Sequence, residues 1–216
     1  MLSTTNANME NHRIYGQNAE EHHQRADIES LSEDFIDMIT RFNELCEDTE
    51  IADVGCGTGR DLNYMHEELG RSEFSYGVDA SIGMTEFARS NSGSHLIQYV
   101  TSDMTELPFS NEQLGGVWCQ ATIFMVELEG MEETLREFNR VLDSSGVLSV
   151  SFKLSDGESS ENGEQTRDRW GSEVEYYFLD EDTAINMVEE AGFQVFDTDK
   201  TGFKQTEFIN VWAEAE

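Results

Sequence analysis

Ile51-Ala52-Asp53-Val54-Gly55-Cys56-Gly57-Thr58-Gly59-Arg60-Asp61 opens as a buried strand, turns on three glycines and goes on as a helix. Ile51, Ala52 and Val54 are apolar, Asp53 stands at the strand's exit, and Leu62, Met65 and Leu69 follow at spacings of three and four. Glycine accepts positive φ and lets a ligand approach the main chain closely. The helix that follows turns its free N–H groups and the positive end of its dipole toward that ligand.

The rest of the chain repeats this unit. Downstream, strands are predicted over 74–79, 95–100, 114–119 and 146–152, and helices over 80–90 and 130–142. The second of these helices carries Met131, Leu135, Phe138 and Leu142 on one face. A polar stretch rich in Gly, Ser and Glu, 153–172, is predicted as a long loop, followed by a short strand over 173–178. A helix over 180–191 takes Asp180 as its N-cap and stops at Gly192; strands over 193–198 and 206–213 close the chain. Upstream, residues 1–12 have no periodicity and are expected to be disordered. Helices are predicted over 18–28 and over 30–46, the latter amphipathic through Leu31, Phe35, Ile36, Met38, Ile39, Phe42 and Leu45. Alternating strand and helix implies a parallel sheet covered on both faces, and the closing pair of strands can form a hairpin.

Composition narrows the function. The 216 residues suit one domain, and the thirteen Phe and three Trp suit a packed core. Against 45 acidic residues stand 13 basic ones, of which three, Lys153, Lys200 and Lys204, are lysines; the net charge is −32. The acids are spread along the chain, as expected of a solvated surface adapted to very high salt, the halophilic pattern. Such a surface disfavours nucleic acid as a partner. Cys46, Cys56 and Cys119 fit neither a disulfide framework nor a zinc site. No apolar run is long enough to cross a bilayer, and the N-terminus lacks a signal-like apolar core, so a cytoplasmic protein with no membrane partner is expected.

The strand ends indicate the ligand. In open α/β sheets it lies outside the carboxyl ends of the strands. Three strands end in an aspartate, Asp53, Asp79 and Asp103, and a fourth ends at Cys119-Gln120. Asp79, twenty residues past Gly59, is placed to accept from two ribose hydroxyls. A dinucleotide site would want a third glycine where Arg60 stands, and no Gly-Lys-Ser/Thr follows for a phosphate loop. An adenosine-type ligand with little or no phosphate remains.

These residues resemble class I S-adenosylmethionine-dependent methyltransferases over roughly 13–213. Asp53-Val54-Gly55-Cys56-Gly57-Thr58-Gly59 is similar to the family's first motif. Gly77-Val78-Asp79-Ala80-Ser81 with Met84 is similar to the second, and Ser102-Asp103-Met104 before Leu107-Pro108-Phe109 to the third. Phe138-Asn139-Arg140-Val141-Leu142 before Ser145-Gly146-Val147-Leu148 resembles the helix and strand that follow. The resemblance implies a doubly wound, mostly parallel seven-strand α/β sheet of order 3-2-1-4-5-7-6, with the last strand antiparallel. It implies one domain over 13–216, with lid helices in 13–48 and a substrate loop at 153–172. S-adenosyl-L-methionine is the implied cofactor. Gly55, Cys56, Gly57 and Gly59 would border its methionine part, and Asp53 would approach its amino group. Asp79 with Ala80 would hold the ribose. Asp103 and the Met104 backbone would take the adenine amine, with Ile82 or Met84 on the adenine face. Cys119 and Gln120 would lie below the sulfonium, and Tyr15 would be a lid tyrosine. The chain departs from the family at Ser144-Ser145-Gly146, where Pro-Gly-Gly is common, and at Phe124-Met125, where many relatives place a His.

The implied reaction is direct displacement at a methyl carbon, for which the protein mainly supplies alignment. No catalytic residue is assigned: His12, His22, His23, Tyr176 and Tyr177 are candidate bases, and each reads more simply as a surface or packing residue. Lys153, Arg167, Arg169 and Trp170 are notable on so acidic a chain, either as contacts to an anionic or aromatic acceptor or as ordinary salt pairs. The expected acceptor is a small molecule. A tRNA or protein acceptor, or cofactor binding without turnover, remains the alternative.

Overall fold

The computed structural model describes residues 6–26, 32–155, 163–203 and 206–216. The central sheet holds β1 (Ile51–Val54), β2 (Ser75–Asp79), β3 (Ile97–Thr101), β4 (Leu114–Cys119), β5 (Leu142–Lys153), β8 (Phe193–Phe203) and β9 (Thr206–Ala215). Its order is β3-β2-β1-β4-β5-β9-β8, the seven-strand arrangement the sequence implied. β1 pairs in parallel with β2 and β4, and β9 runs antiparallel between β5 and β8. β4 is buried at every position, as a strand with both faces covered must be.

One face of the sheet carries α6 (Leu128–Val141) and α7 (Glu181–Glu190), with Leu135, Phe138 and Val188 packed on Val117, Leu148 and Val211. The other carries α3 (Glu33–Leu45) and α4 (Arg60–Glu67), with Phe42, Leu62 and Met65 around Trp118 and Trp212. α5 (Ile82–Ser90) links β2 to β3. Asp180 caps α7 by accepting from the Thr183 N–H at 2.8 Å, and Gly192, at φ 93°, follows its end, as the sequence predicts. The predicted 30–46 helix is present as α3, whose N-cap Ser32 accepts from the Phe35 N–H; Leu31 lies outside the described residues.

Three expectations need revision. Residues 6–12, expected without structure, belong to helix α1 (Asn6–Gln17), and the helix predicted over 18–28 is the shorter α2 (Ala19–Arg25). α1 has no strong apolar periodicity of its own; it is held by docking. Gly16 lies on Gly83 of α5 so closely that a Cβ on Gly83 would come within 2.4 Å of the Gly16 carbonyl oxygen. The Asn11 amide also donates to the Glu175 carbonyl oxygen at 3.4 Å. Finally, the stretch predicted as a loop contains β6 (Gly163–Arg169), which forms a separate antiparallel hairpin with β7 (Ser172–Phe178); residues 156–162 lie outside the described residues. β7 buries Val174, Tyr176 and Phe178, while the described side chains of β6 from Thr166 to Arg169 are exposed. A strand with a solvated face and polar composition leaves no apolar alternation to read.

Candidate cofactor and acceptor site

β1 ends at Val54, and the main chain turns at once through Gly55, Gly57 and Gly59, all at positive φ. The Gly55 and Cys56 N–H groups donate to the Val78 carbonyl oxygen at 2.7 and 3.0 Å, tying the turn to β2. Asp79, at the end of β2, accepts from the Gly57 N–H at 2.9 Å and from the Ser81 N–H at 2.8 Å. One carboxylate thus fixes both the glycine turn and the start of α5. Burial pushes its pKa above the usual carboxylate value, and these two N–H groups oppose the rise. Gly57 carries little above it: the nearest heavy atom to a Cβ built there is His22 Cε1 at 3.7 Å.

Asp53 is buried, and burial together with the neighbouring Asp61 carboxylate pushes its pKa well above the usual range. Asp61, in the first turn of α4, accepts from Trp118 Nε1 at 3.0 Å and from Arg60 Nε at 2.6 Å. Arg60 also donates to the Ala26 carbonyl oxygen at 3.2 Å and lies over the Phe35 ring. The residue that departs from a dinucleotide pattern therefore joins the glycine turn to the N-terminal helices. Asp103 accepts from both the N–H and the hydroxyl of Thr105. His12 on α1 is near Asp79 and Asp103; burial lowers its pKa while the two carboxylates raise it.

The other predicted site residues divide. Ala80 is half-buried between Asp79 and Ser81, and Met104 packs at the rim of the core. Ile82 is 65% exposed at the start of α5, whereas Met84 is buried, so Ile82 is the better placed of the two for a ligand face. The Cys56 and Cys119 thiols are buried, and burial holds their pKa values well up. The Cys119 side chain faces the core, and Gln120 donates to Ser149 Oγ at 3.0 Å.

Tyr15, on α1, lies where α2 and the β6–β7 hairpin meet. Its hydroxyl is 3.0 Å from that of Tyr176, and its ring meets His22 and Trp170 edge-on at 5.6 and 5.3 Å. Among the candidate bases, Tyr176 is in this cluster, and Tyr177 packs at the rim of the core. His22 lies above Gly57, its pKa lowered to about 4 by burial and nearby arginines. His23 Nδ1 is 3.2 Å from Thr58 Oγ1. Nothing in the sequence placed these histidines on the glycine turn, because the contact is made by α2 folding back across thirty-five residues. Tyr99 was missed for the same reason: it fills the space beside Gly59 and Gly77 from β3.

A Gly-rich turn after β1, aspartates at three neighbouring strand ends and a sheet closed by an antiparallel pair define the α/β methyltransferase class of fold. Residues 52–150, a little under half of the chain, match the model of a methyltransferase domain family. The chain is 26% identical over 108 residues to the carboxy-S-adenosyl-L-methionine synthase of Staphylococcus epidermidis; the match covers 50% of this chain and 46% of that protein, under half its length. The Burkholderia thailandensis 1,6-didemethyltoxoflavin-N1-methyltransferase, solved with 1,6-didemethyltoxoflavin and S-adenosylhomocysteine bound, superposes with a TM-score of 0.70 at 15% identity, covering 100% of this chain and 93% of that one. A chain from the complex of the Haloferax volcanii Trm112 methyltransferase activator with a methyltransferase gives a TM-score of 0.75 at 14% identity, covering 95% and 96%. At such identities the structural matches establish the fold alone. No helix among the described residues is long and apolar enough to cross a membrane.

Proposed function

We propose that the protein is an S-adenosylmethionine-dependent methyltransferase acting on a small-molecule acceptor. The observation that carries this is the glycine turn locked to Asp79, with Asp53 and Asp103 on the same sheet edge. The donor set suits the cofactor: a buried carboxylate for an ammonium, one for vicinal hydroxyls and one for an aromatic amine. Asp53 would take the amino group, Asp79 the ribose, Asp103 and the Met104 main chain the adenine, and Gly55, Cys56, Gly57 and Gly59 the methionine part. Tyr15 would close over it. The cofactor brings a methyl group on a good leaving group, so the chain's task is to orient the acceptor and exclude water. His22 is neutral at pH 7, and no proton transfer is assigned to it.

The role of Asp53 has a pH signature. Only its ionised form attracts an ammonium, and its pKa in the folded protein is raised. Cofactor affinity should therefore fall as pH drops through a step above the ordinary carboxylate range. Asp53→Asn should abolish that step. Because the folded pKa exceeds the unfolded one, Asp53 destabilises the fold increasingly as pH rises through that interval. The ligand-free Asn variant should thus be more stable than the parent at pH 7. Calorimetric titration across pH, with urea unfolding alongside, checks both; an unchanged pH step in the variant would remove Asp53 from the amino-group role.

Titration with S-adenosylmethionine and S-adenosylhomocysteine in molar KCl tests cofactor binding, and a labelled-methyl assay on a metabolite extract and a tRNA pool tests turnover. Label in tRNA alone would replace the small-molecule reading, and binding without label in either would leave a cofactor-binding protein. We further propose that the −32 charge is an adaptation to high salt. At about 1 M salt the Debye length is near 3 Å, which screens most of the self-repulsion. The thermal midpoint should climb steadily with KCl; a flat or falling midpoint would contradict this.

A further inference from the structure

We propose that the corner around Lys153 is an acceptor subsite for a small planar molecule carrying a carboxylate. This rests on the methyltransferase reading, and deepens it by naming the substrate class.

Lys153 is the last residue of β5, at the carboxyl edge of the sheet. It is 4% exposed on a chain with 45 acids. Yet among the described residues no carboxylate lies within ion-pair distance of its ammonium, and no hydrogen bond leaves it. Its neighbours are rings: Phe178 at 4.4 Å, Tyr176 at 4.6 Å and Phe124 at 5.8 Å from Nζ. Ring faces attract an ammonium but accept none of its three N–H groups. Burying a charge in this way is costly unless an acceptor completes it.

The surroundings add more positive charge. Arg169 donates from Nε to the Tyr176 hydroxyl at 3.1 Å. Burial, with Arg167 and Arg169 nearby, lowers the Lys153 pKa to about 8, so the group is still mostly protonated at pH 7. A buried Lys153 without a carboxylate partner, with Arg169 beside the same ring cluster, favours an anion there. Trp170 adds an unpartnered donor: its buried Nε1 has no hydrogen-bond acceptor among the described residues. Its backbone holds φ 54° beside Gly171 at φ 74°, a left-handed pair that makes the tight β6–β7 turn and sets the indole against Tyr15. A non-glycine residue in that region carries strain, which the ring contacts offset.

The corner adjoins the cofactor side through one residue. Tyr15 meets Tyr176 by its hydroxyl and His22 by its ring, and His22 lies over Gly57. A ligand whose carboxylate meets Lys153 and whose flat body lies among these rings therefore extends toward the glycine turn. A phosphate, bulkier and doubly charged, suits an aromatic enclosure less well.

The test uses the full chain saturated with S-adenosylhomocysteine at one fixed salt concentration. Benzoate, benzamide and inorganic phosphate are titrated in turn. Benzoate should bind, benzamide should bind at least about tenfold more weakly, roughly the worth of one charge-assisted hydrogen bond, and phosphate should not compete with benzoate. Lys153→Met should reduce benzoate affinity by at least about tenfold and leave S-adenosylhomocysteine affinity intact. Its thermal midpoint should rise, since an unpaired buried charge is removed; a purely structural lysine would give a fall. Arg169→Gln, on an exposed side chain, provides a second variant and should weaken benzoate severalfold. Benzoate affinity equal to that of benzamide, preferential phosphate binding, no benzoate binding at all, or both variants behaving as the parent would overturn the proposal. Loss of S-adenosylhomocysteine binding by the parent would instead count against the methyltransferase reading, and benzoate can still be titrated alone.

Discussion

Asp79→Ala is expected to weaken S-adenosylmethionine binding by about two orders of magnitude, with only a modest fall in thermal stability. A hydrogen bond to a charged group is worth about 1.5–3 kcal/mol, so losing the two proposed ribose contacts would cost about 3 kcal/mol or more, and about 1.4 kcal/mol is tenfold. The same carboxylate holds the Gly57 and Ser81 N–H groups, so its removal also loosens the turn that faces the ligand. The effect on folding should be smaller because burial already works against the ionised group: its pKa is raised despite the two N–H donors. Asp79→Asn retains a single acceptor oxygen and should fall between parent and alanine variant. Calorimetry gives the affinities and a thermal melt the stabilities. Parent-like affinity in the alanine variant would mean that the ribose is held elsewhere, or that the ligand has none.

The second large effect is on folding. Gly59→Ala should destabilise the protein by about 3 kcal/mol. Gly59 is the N-cap of α4, at φ 78° and ψ 19°. A left-handed backbone costs a residue with a Cβ about 1–2 kcal/mol. The new Cβ would also lie 2.3 Å from the Tyr99 hydroxyl oxygen and 2.8 Å from its Cζ, on a ring that is 6% exposed and has little room to move. Forcing extra volume into a packed site adds about 1–3 kcal/mol. Gly171→Ala separates the two costs: φ is 74°, and nothing lies within 4 Å of the added carbon. Urea unfolding of the pair should show the Gly59 variant losing clearly more than the Gly171 variant. Equal losses would mean that Tyr99 yields freely and that the close fit beside the turn carries no energy.

The central sheet was legible because its signals are local. Apolar runs such as Leu114–Cys119, glycines at forced backbone angles and acids at strand exits each mark an element within a few residues. Asp53, Asp79 and Asp103 could be placed at one edge for the same reason, since topology does the rest. What could not be read depends on contacts distant in sequence. α1 is seated by the backbone contact of Gly16 with Gly83, which no periodicity announces. The β6–β7 hairpin hides in polar sequence because its apolar residues are on β7, and one exposed strand carries no alternation. Lys153 stood out as a rare cation, but the rings around it, Phe124, Tyr176 and Phe178, come from two segments distant from β5 in sequence.

β5 and the hairpin beside it divide the labour in the acceptor corner. β5 pairs with β4 on one side over Val147–Val150 and with β9 on the other over Val147–Lys153, where Lys153 pairs with Phe208. Tyr176, Phe178 and Trp170 come from the hairpin, which belongs to a sheet of its own. The charge that selects for an anion is thus carried by a strand of the central sheet, while much of the contour around it comes from a hairpin outside that sheet. Variation in the hairpin can resculpt the admitted shape without shifting the electrostatic requirement or the sheet beneath it. A combinatorial library aimed at altered acceptor range belongs there, with β5 left untouched.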